Sequence, residues 1–162
     1  MFPFHSLFYI KTYIYTMKVQ EIILHCTATK EGVEVFAKDV DKWHKNKGWQ
    51  MIGYHYLVDL DGKVEKGRPD NMNGAHTVNH NSKALGVCYV GGLDKNSKSK
   101  DTRTPEQRFA LFKLVMELLE KYNLKIEDVH GHYEFANKAC PCFDIPTFRK
   151  ELSQFIDNSK SN

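Results

Sequence analysis

Two apolar rhythms alternate along this chain, and they predict its elements. "VQEIILHC" (19–26) is a short run of branched apolar residues, the mark of a strand buried on both faces. With a period of two, Ile23 and His25 share one face, while Ile22, Leu24 and Cys26 share the other. From Val33 the period lengthens: Val33, Phe36, Ala37, Val40 and Trp43 recur at helical spacing, and Gly48 is a fitting stop. "MIGYHYLVDLDGKVEKGR" (51–68) predicts a β-hairpin turning at Asp61-Gly62. A polar Gly/Asn loop (71–84) leads to a second buried strand, "LGVCYVGG" (85–92), and then to a charged loop over 93–103.

Thr104-Pro105-Glu106-Gln107 predicts a helix start, with an N-cap, a proline at the first helical position and a capping-box glutamine. Phe112, Val115, Leu119 and Tyr122 then fall on one face, widened by Leu111, Leu114 and Leu118. "KIEDVHGH" predicts a short strand, and Pro146 starts a last helix with Phe148, Leu152, Phe155 and Ile156 inward. Strands alternate with helices, so the expected fold is a single α/β domain with a central mixed sheet flanked by helices. The expected division is an N-terminal extension (1–16), a domain over 17–158 and a tail (159–162), with Met17 a native start.

Composition narrows the function more by exclusion than by suggestion. The 162 residues are 41% hydrophobic and 27% charged, as in a soluble domain. Net charge is only +3, and no Lys/Arg run is dense enough to follow a phosphate backbone, so no nucleic-acid partner is expected. Residues 1–16 are aromatic and apolar, but Lys11 interrupts them. No basic segment precedes them and no small-residue cleavage site follows, so a signal peptide is not expected. No apolar run reaches the ~18 residues of a membrane span. Of four cysteines, Cys26 and Cys88 read as small buried hydrophobes, and Cys140 and Cys142 sit too close together for an easy mutual disulfide. All four are expected to be reduced.

"HGHYEFANKACPCFD" (130–144) concentrates metal-binding side chains: His130, His132, Cys140 and Cys142. A closed structural zinc site needs four protein ligands, whereas a catalytic one uses three and keeps a position for water. This stretch supplies one histidine and one cysteine across a loop, and a third ligand must come from elsewhere. His25 is the best candidate, because a polar side chain at the end of a buried strand calls for a reason. His44, on the polar edge of a helix, reads as solvated; His55 as a packed or hydrogen-bonded strand residue; Trp43 and Trp49 as packing; His5 falls in the extension.

The segments "LHCTAT" (24–29), "GWQMIGYHYLVDLDGKVEKGR" (48–68), "GAHTVNHNSKALGVCYVGG" (74–92), "TPEQ" (104–107) and "HYEFANKACPCFD" (132–144), in that order, resemble the zinc-dependent N-acetylmuramoyl-L-alanine amidases. The likeness is to the small phage lysozymes, within the superfamily of the peptidoglycan-recognition proteins, and covers roughly residues 20–150. It implies one Zn²⁺ held by His25, His132 and Cys140, with Tyr54 and Lys138 as catalytic residues and His76 and Asn81 as substrate contacts. Cys142 departs from the family pattern and is expected to be free; His130 is expected to pack or to support a ligand from behind, and Glu134 to orient an imidazole or lie on the surface.

Two imidazoles and one thiolate would leave such an ion a net positive charge and its power as a Lewis acid, able to lower the pKa of water from ~15.7 towards ~7. The implied activity is hydrolysis of the amide between N-acetylmuramic acid and L-alanine in bacterial peptidoglycan. An endolysin of phage or prophage, monomeric, would wait in the cytoplasm and act on the wall after release. The resemblance also admits two alternatives: a non-catalytic peptidoglycan-binding module, and a lysozyme with a second role binding phage RNA polymerase.

Overall fold

The computed structural model describes residues 16–162, so His5 and, save for Thr16, the expected extension lie outside the described residues. The chain forms β1 (Glu21–Cys26), β2 (Thr29–Lys30), α1 (Ala37–Asn46), β3 (Tyr56–Val58), β4 (Val64–Lys66), β5 (Ala84–Tyr89), β6 (Gly92–Leu93), α2 (Pro105–Tyr122), β7 (Val129–Gly131) and α3 (Ile145–Lys160). Five strands make a mixed sheet in the order β4-β3-β5-β1-β7, parallel except for the β3–β4 hairpin.

The sheet divides the core in two, as the alternation along β1 requires. Ile22, Leu24 and Cys26 face α2 and α3, packing with Leu85, Val87 and Tyr89 of β5, Leu111 and Val115 of α2, and Phe148 and Leu152 of α3. The other face, with Leu57, Cys88, Ile52 and Val90, is covered by α1 through Val40. β1 and β5 are buried along their whole length, which explains why both read as unbroken apolar runs.

Three local expectations change. α1 begins at Ala37 rather than Val33, and Val33 is 48% exposed, because the Phe36 N–H is taken by Asp39 Oδ2 at the cap. The expected strand over 85–92 stops at Tyr89, and β6 straddles its boundary with the expected charged loop, pairing in parallel with β2 to form a separate two-stranded sheet. Such two-residue strands have no readable period. α3 runs to Lys160, two residues into the expected tail. Among the described residues, no helix is long and apolar enough to cross a membrane.

Candidate functional site

The site is built where β1 and β7 end. These strands are parallel, with Leu24 opposite Gly131. The next residue along each is a histidine, so His25 and His132 emerge side by side, their ring centroids 4.6 Å apart. A carboxylate oxygen of Glu134 accepts the Gly131 N–H at 2.7 Å and closes the 3₁₀ turn carrying His132. The following loop folds back: the Tyr133 N–H donates to the Cys140 carbonyl (2.8 Å), and the Tyr89 hydroxyl donates to the Pro141 carbonyl (2.8 Å).

A nitrogen of His25, a nitrogen of His132 and Sγ of Cys140 all lie within 4.8 Å of one another. Nδ1 of His25 is 3.7 Å from Cys140 Sγ. Bonds of ~2.3 Å to sulfur and ~2.0 Å to nitrogen at a tetrahedral angle would separate these atoms by about 3.5 Å, so the pair is spaced as zinc requires. Protonation also fits. Burial holds His25 well below the ordinary imidazole value, helped by His76, His132 and Lys138, and burial and then Lys138 lower His132. The Cys26 thiol, with its backbone N–H 3.2 Å from Cys140 Sγ, lowers the Cys140 thiol, while Cys26 itself is pushed up to about 12. The environment favours neutral imidazoles and a thiolate, the forms that bind metal.

The ligand-bearing end opens into a cleft of about 280 Å³. Tyr54 and Lys138 line it together with His132 and Cys140. The Tyr54 ring lies 5.1 Å from that of His25, and burial first, then the nearby Cys88, Cys140 and Cys26 thiols, keep the phenol proton in place. Tyr54 precedes β3 on a segment anchored to α1: the Ile52 N–H donates to Asp41 Oδ1 and the Gly53 N–H to His44 Nδ1, both at 2.8 Å. A larger groove of about 770 Å³, between the hairpin and α2, carries no histidine or cysteine and lies away from this chemistry.

His44 is not solvated: it is buried on the cleft wall, because Nδ1 takes the Gly53 N–H. Trp43, 41% exposed, lines the same wall. His76 has Nδ1 2.9 Å from His25 Nε2 and Nε2 3.2 Å from the Ala84 carbonyl. Oδ1 of Asn81 accepts the backbone N–H groups of His76 (2.8 Å) and Thr77 (2.9 Å). Both ring nitrogens of His76 and the Oδ1 of Asn81 thus have partners within the protein. His130 points away, between Glu21, Glu134 and Arg149. His55 is fully buried, contacting the Met72 carbonyl through Nε2 and accepting the Gly86 N–H at Nδ1. Cys142 lies outside the ligand group, 3.8 Å from Cys26 Sγ, and all four cysteines are unpaired. The wall formed by α1 left no signal in the sequence, because His44 and Trp43 read as ordinary helix positions.

Comparison with known proteins identifies the family. Residues 15–143 match the N-acetylmuramoyl-L-alanine amidase family. The endolysin of Escherichia phage T7 is 40% identical over 124 residues, spanning 76% of this chain and 81% of the relative. The endolysin of Klebsiella phage KP32 is 38% identical over 128 residues, 79% and 83% of the two chains. Among solved structures, the N-acetylmuramoyl-L-alanine amidase LysC from Clostridium intestinale superposes with a TM-score of 0.74 at 28% identity, covering 86% of this chain and 88% of that one.

Proposed function

Since the chain belongs to the N-acetylmuramoyl-L-alanine amidase family, we propose that it cleaves the amide between N-acetylmuramic acid and L-alanine in bacterial peptidoglycan, as a phage endolysin. The observation that carries this reading is the convergence of His25, His132 and Cys140 beside a cleft that His132 and Cys140 line together with Tyr54 and Lys138. One Zn²⁺ held by those three side chains would supply a Lewis acid that polarises the amide carbonyl and acidifies a water.

The chain's own residues do the rest. Attack on the carbonyl puts negative charge on its oxygen, and the Lys138 ammonium on the cleft rim stabilises that charge. Tyr54 keeps its phenol proton and acts as a hydrogen-bond donor to the reacting groups. Val40 and Trp43 give the cleft an apolar wall that holds substrate against the polar floor. His130 and Cys142 take no part.

The test is digestion of purified peptidoglycan, followed by loss of turbidity and by mass analysis of the products. The zinc-loaded chain is expected to release stem peptides with a free L-alanine amino terminus and leave the glycan intact. Stripping the metal with a chelator should stop the reaction and zinc should restore it. Activity that survives complete metal removal, or cleavage between sugars, defeats the reading.

A further inference from the structure

Behind His25 stands a second histidine whose hydrogen bonds admit one arrangement of protons. Nε2 of His76 faces the Ala84 carbonyl oxygen at 3.2 Å. A carbonyl only accepts, so Nε2 carries the hydrogen and, in the neutral ring, Nδ1 is bare. That Nδ1 faces Nε2 of His25 at 2.9 Å. Two bare nitrogens at that distance would repel, so His25 carries its hydrogen on Nε2 and donates it to His76. The Nδ1 of His25 is then left with a free lone pair, and it is this atom that faces Cys140 Sγ at 3.7 Å. The Thr77 hydroxyl, buried and 3.0 Å from His76 Nδ1, supports the same end of the chain of bonds.

The backbone around His76 is shaped to admit its ring. A Cβ at Gly74 would come within 2.4 Å of His76 Cδ2, and one at Gly86 within 2.6 Å of the same atom. Asn81 fixes the loop by accepting the N–H of His76 itself. The ring is therefore seated by two glycines and an asparagine from three points of the chain.

We propose that His76 is a positioning residue of the metal centre, holding His25 in the tautomer and orientation that present Nδ1 to the ion. The role rests on the reading of His25 as a ligand. Removing a partner of this kind typically weakens metal binding by about 10–100-fold.

The test compares the parent chain with His76→Leu, which keeps bulk but cannot accept, and His76→Asn, whose Oδ1 takes the place of Nδ1. Zinc affinity is measured by competition with a chromophoric chelator, and thermal unfolding of the chelator-treated chains reports folding separately. His76→Leu is expected to bind zinc about 10–100-fold more weakly than the parent, and His76→Asn to recover most of that loss. Equal affinity in parent and His76→Leu overturns the role. So does an equal loss in both variants, because His76→Asn keeps the acceptor and should then have rescued binding. If His76→Leu does not fold, His76→Asn carries the test against Gly86→Ala, which displaces the ring: tight binding in both overturns the role. A parent that holds no zinc overturns the ligand set itself and the positioning role with it.

Discussion

Each side chain at the cleft invites a separate measurement, because each touches the chemistry differently. Cys140 is a ligand in the proposed centre, and serine offers a weaker, protonated donor. Cys140→Ser is expected to abolish hydrolysis while leaving sedimentation with peptidoglycan intact; a variant that still hydrolyses at the parent rate removes Cys140 from the site. In the proposed mechanism Lys138 acts on charge that develops during the reaction, so Lys138→Met should lower kcat by roughly 10²–10³-fold with a much smaller effect on KM. An equal rise in KM with kcat unchanged would make Lys138 a simple binding residue. The residue types themselves were legible: His25, His132 and Cys140 stood out as a polar end to a buried strand and a ligand-rich loop. The places that His44 and His76 take were not legible, because the groups that define them, the Gly53 N–H and His25 Nε2, lie in other segments of the chain.

At the scale of elements, the clearest signal in the chain was the start of α2, and the structure confirms it to the residue. Thr104 Oγ1 accepts the Gln107 N–H at 3.1 Å, and Gln107 Oε1 accepts the Thr104 N–H at 2.9 Å. Capping-box chemistry is local, so four consecutive residues are enough to announce it. The sequence did not reveal that the same glutamine is fully buried and donates through Nε2 to the carbonyl of Val90 (2.9 Å), tying α2 to the end of β5. Thr104→Ala should cost about 1 kcal/mol of stability. Gln107→Leu should cost more, about 1–3 kcal/mol beyond the cap, because it strands a buried carbonyl. Urea unfolding of the two variants checks the order, and a Gln107→Leu variant as stable as Thr104→Ala contradicts the tie to the sheet. β2 and β6 show the opposite limit: two-residue strands exist only because their partners arrive, and no pattern within them could announce it.

For the whole molecule, the sheet interior makes stability depend on pH. Burial lowers His55 from the ordinary 6.5 to about 4, so the folded state holds it neutral where the unfolded chain would bind a proton. A depressed histidine gives its full contribution above pH ~6.5 and loses it as pH falls towards 4. By pH 5 the loss from His55 alone is about 2 kcal/mol. Urea midpoints at pH 7 and pH 5, at constant salt, should show that fall; a flat profile would mean that His55 is not held neutral. Zinc bound at the proposed centre would add to stability by mass action, so chelation should lower the thermal midpoint, by an amount that grows with the zinc concentration it removes.

The sequence by itself determined the alternation of buried strands and amphipathic helices, the capped start of α2 and the kinds of side chain available for a metal, because period, capping and residue chemistry are local properties. The tertiary structure alone decided how they meet. Register between β1 and β7 sets His25 beside His132, the loop after β7 returns Cys140 to them, and His76, 51 residues from His25 in the chain, closes the hydrogen bond behind it. Contacts across such separations depend on how the strands pair, and pairing is a property of the assembled sheet rather than of any segment within it.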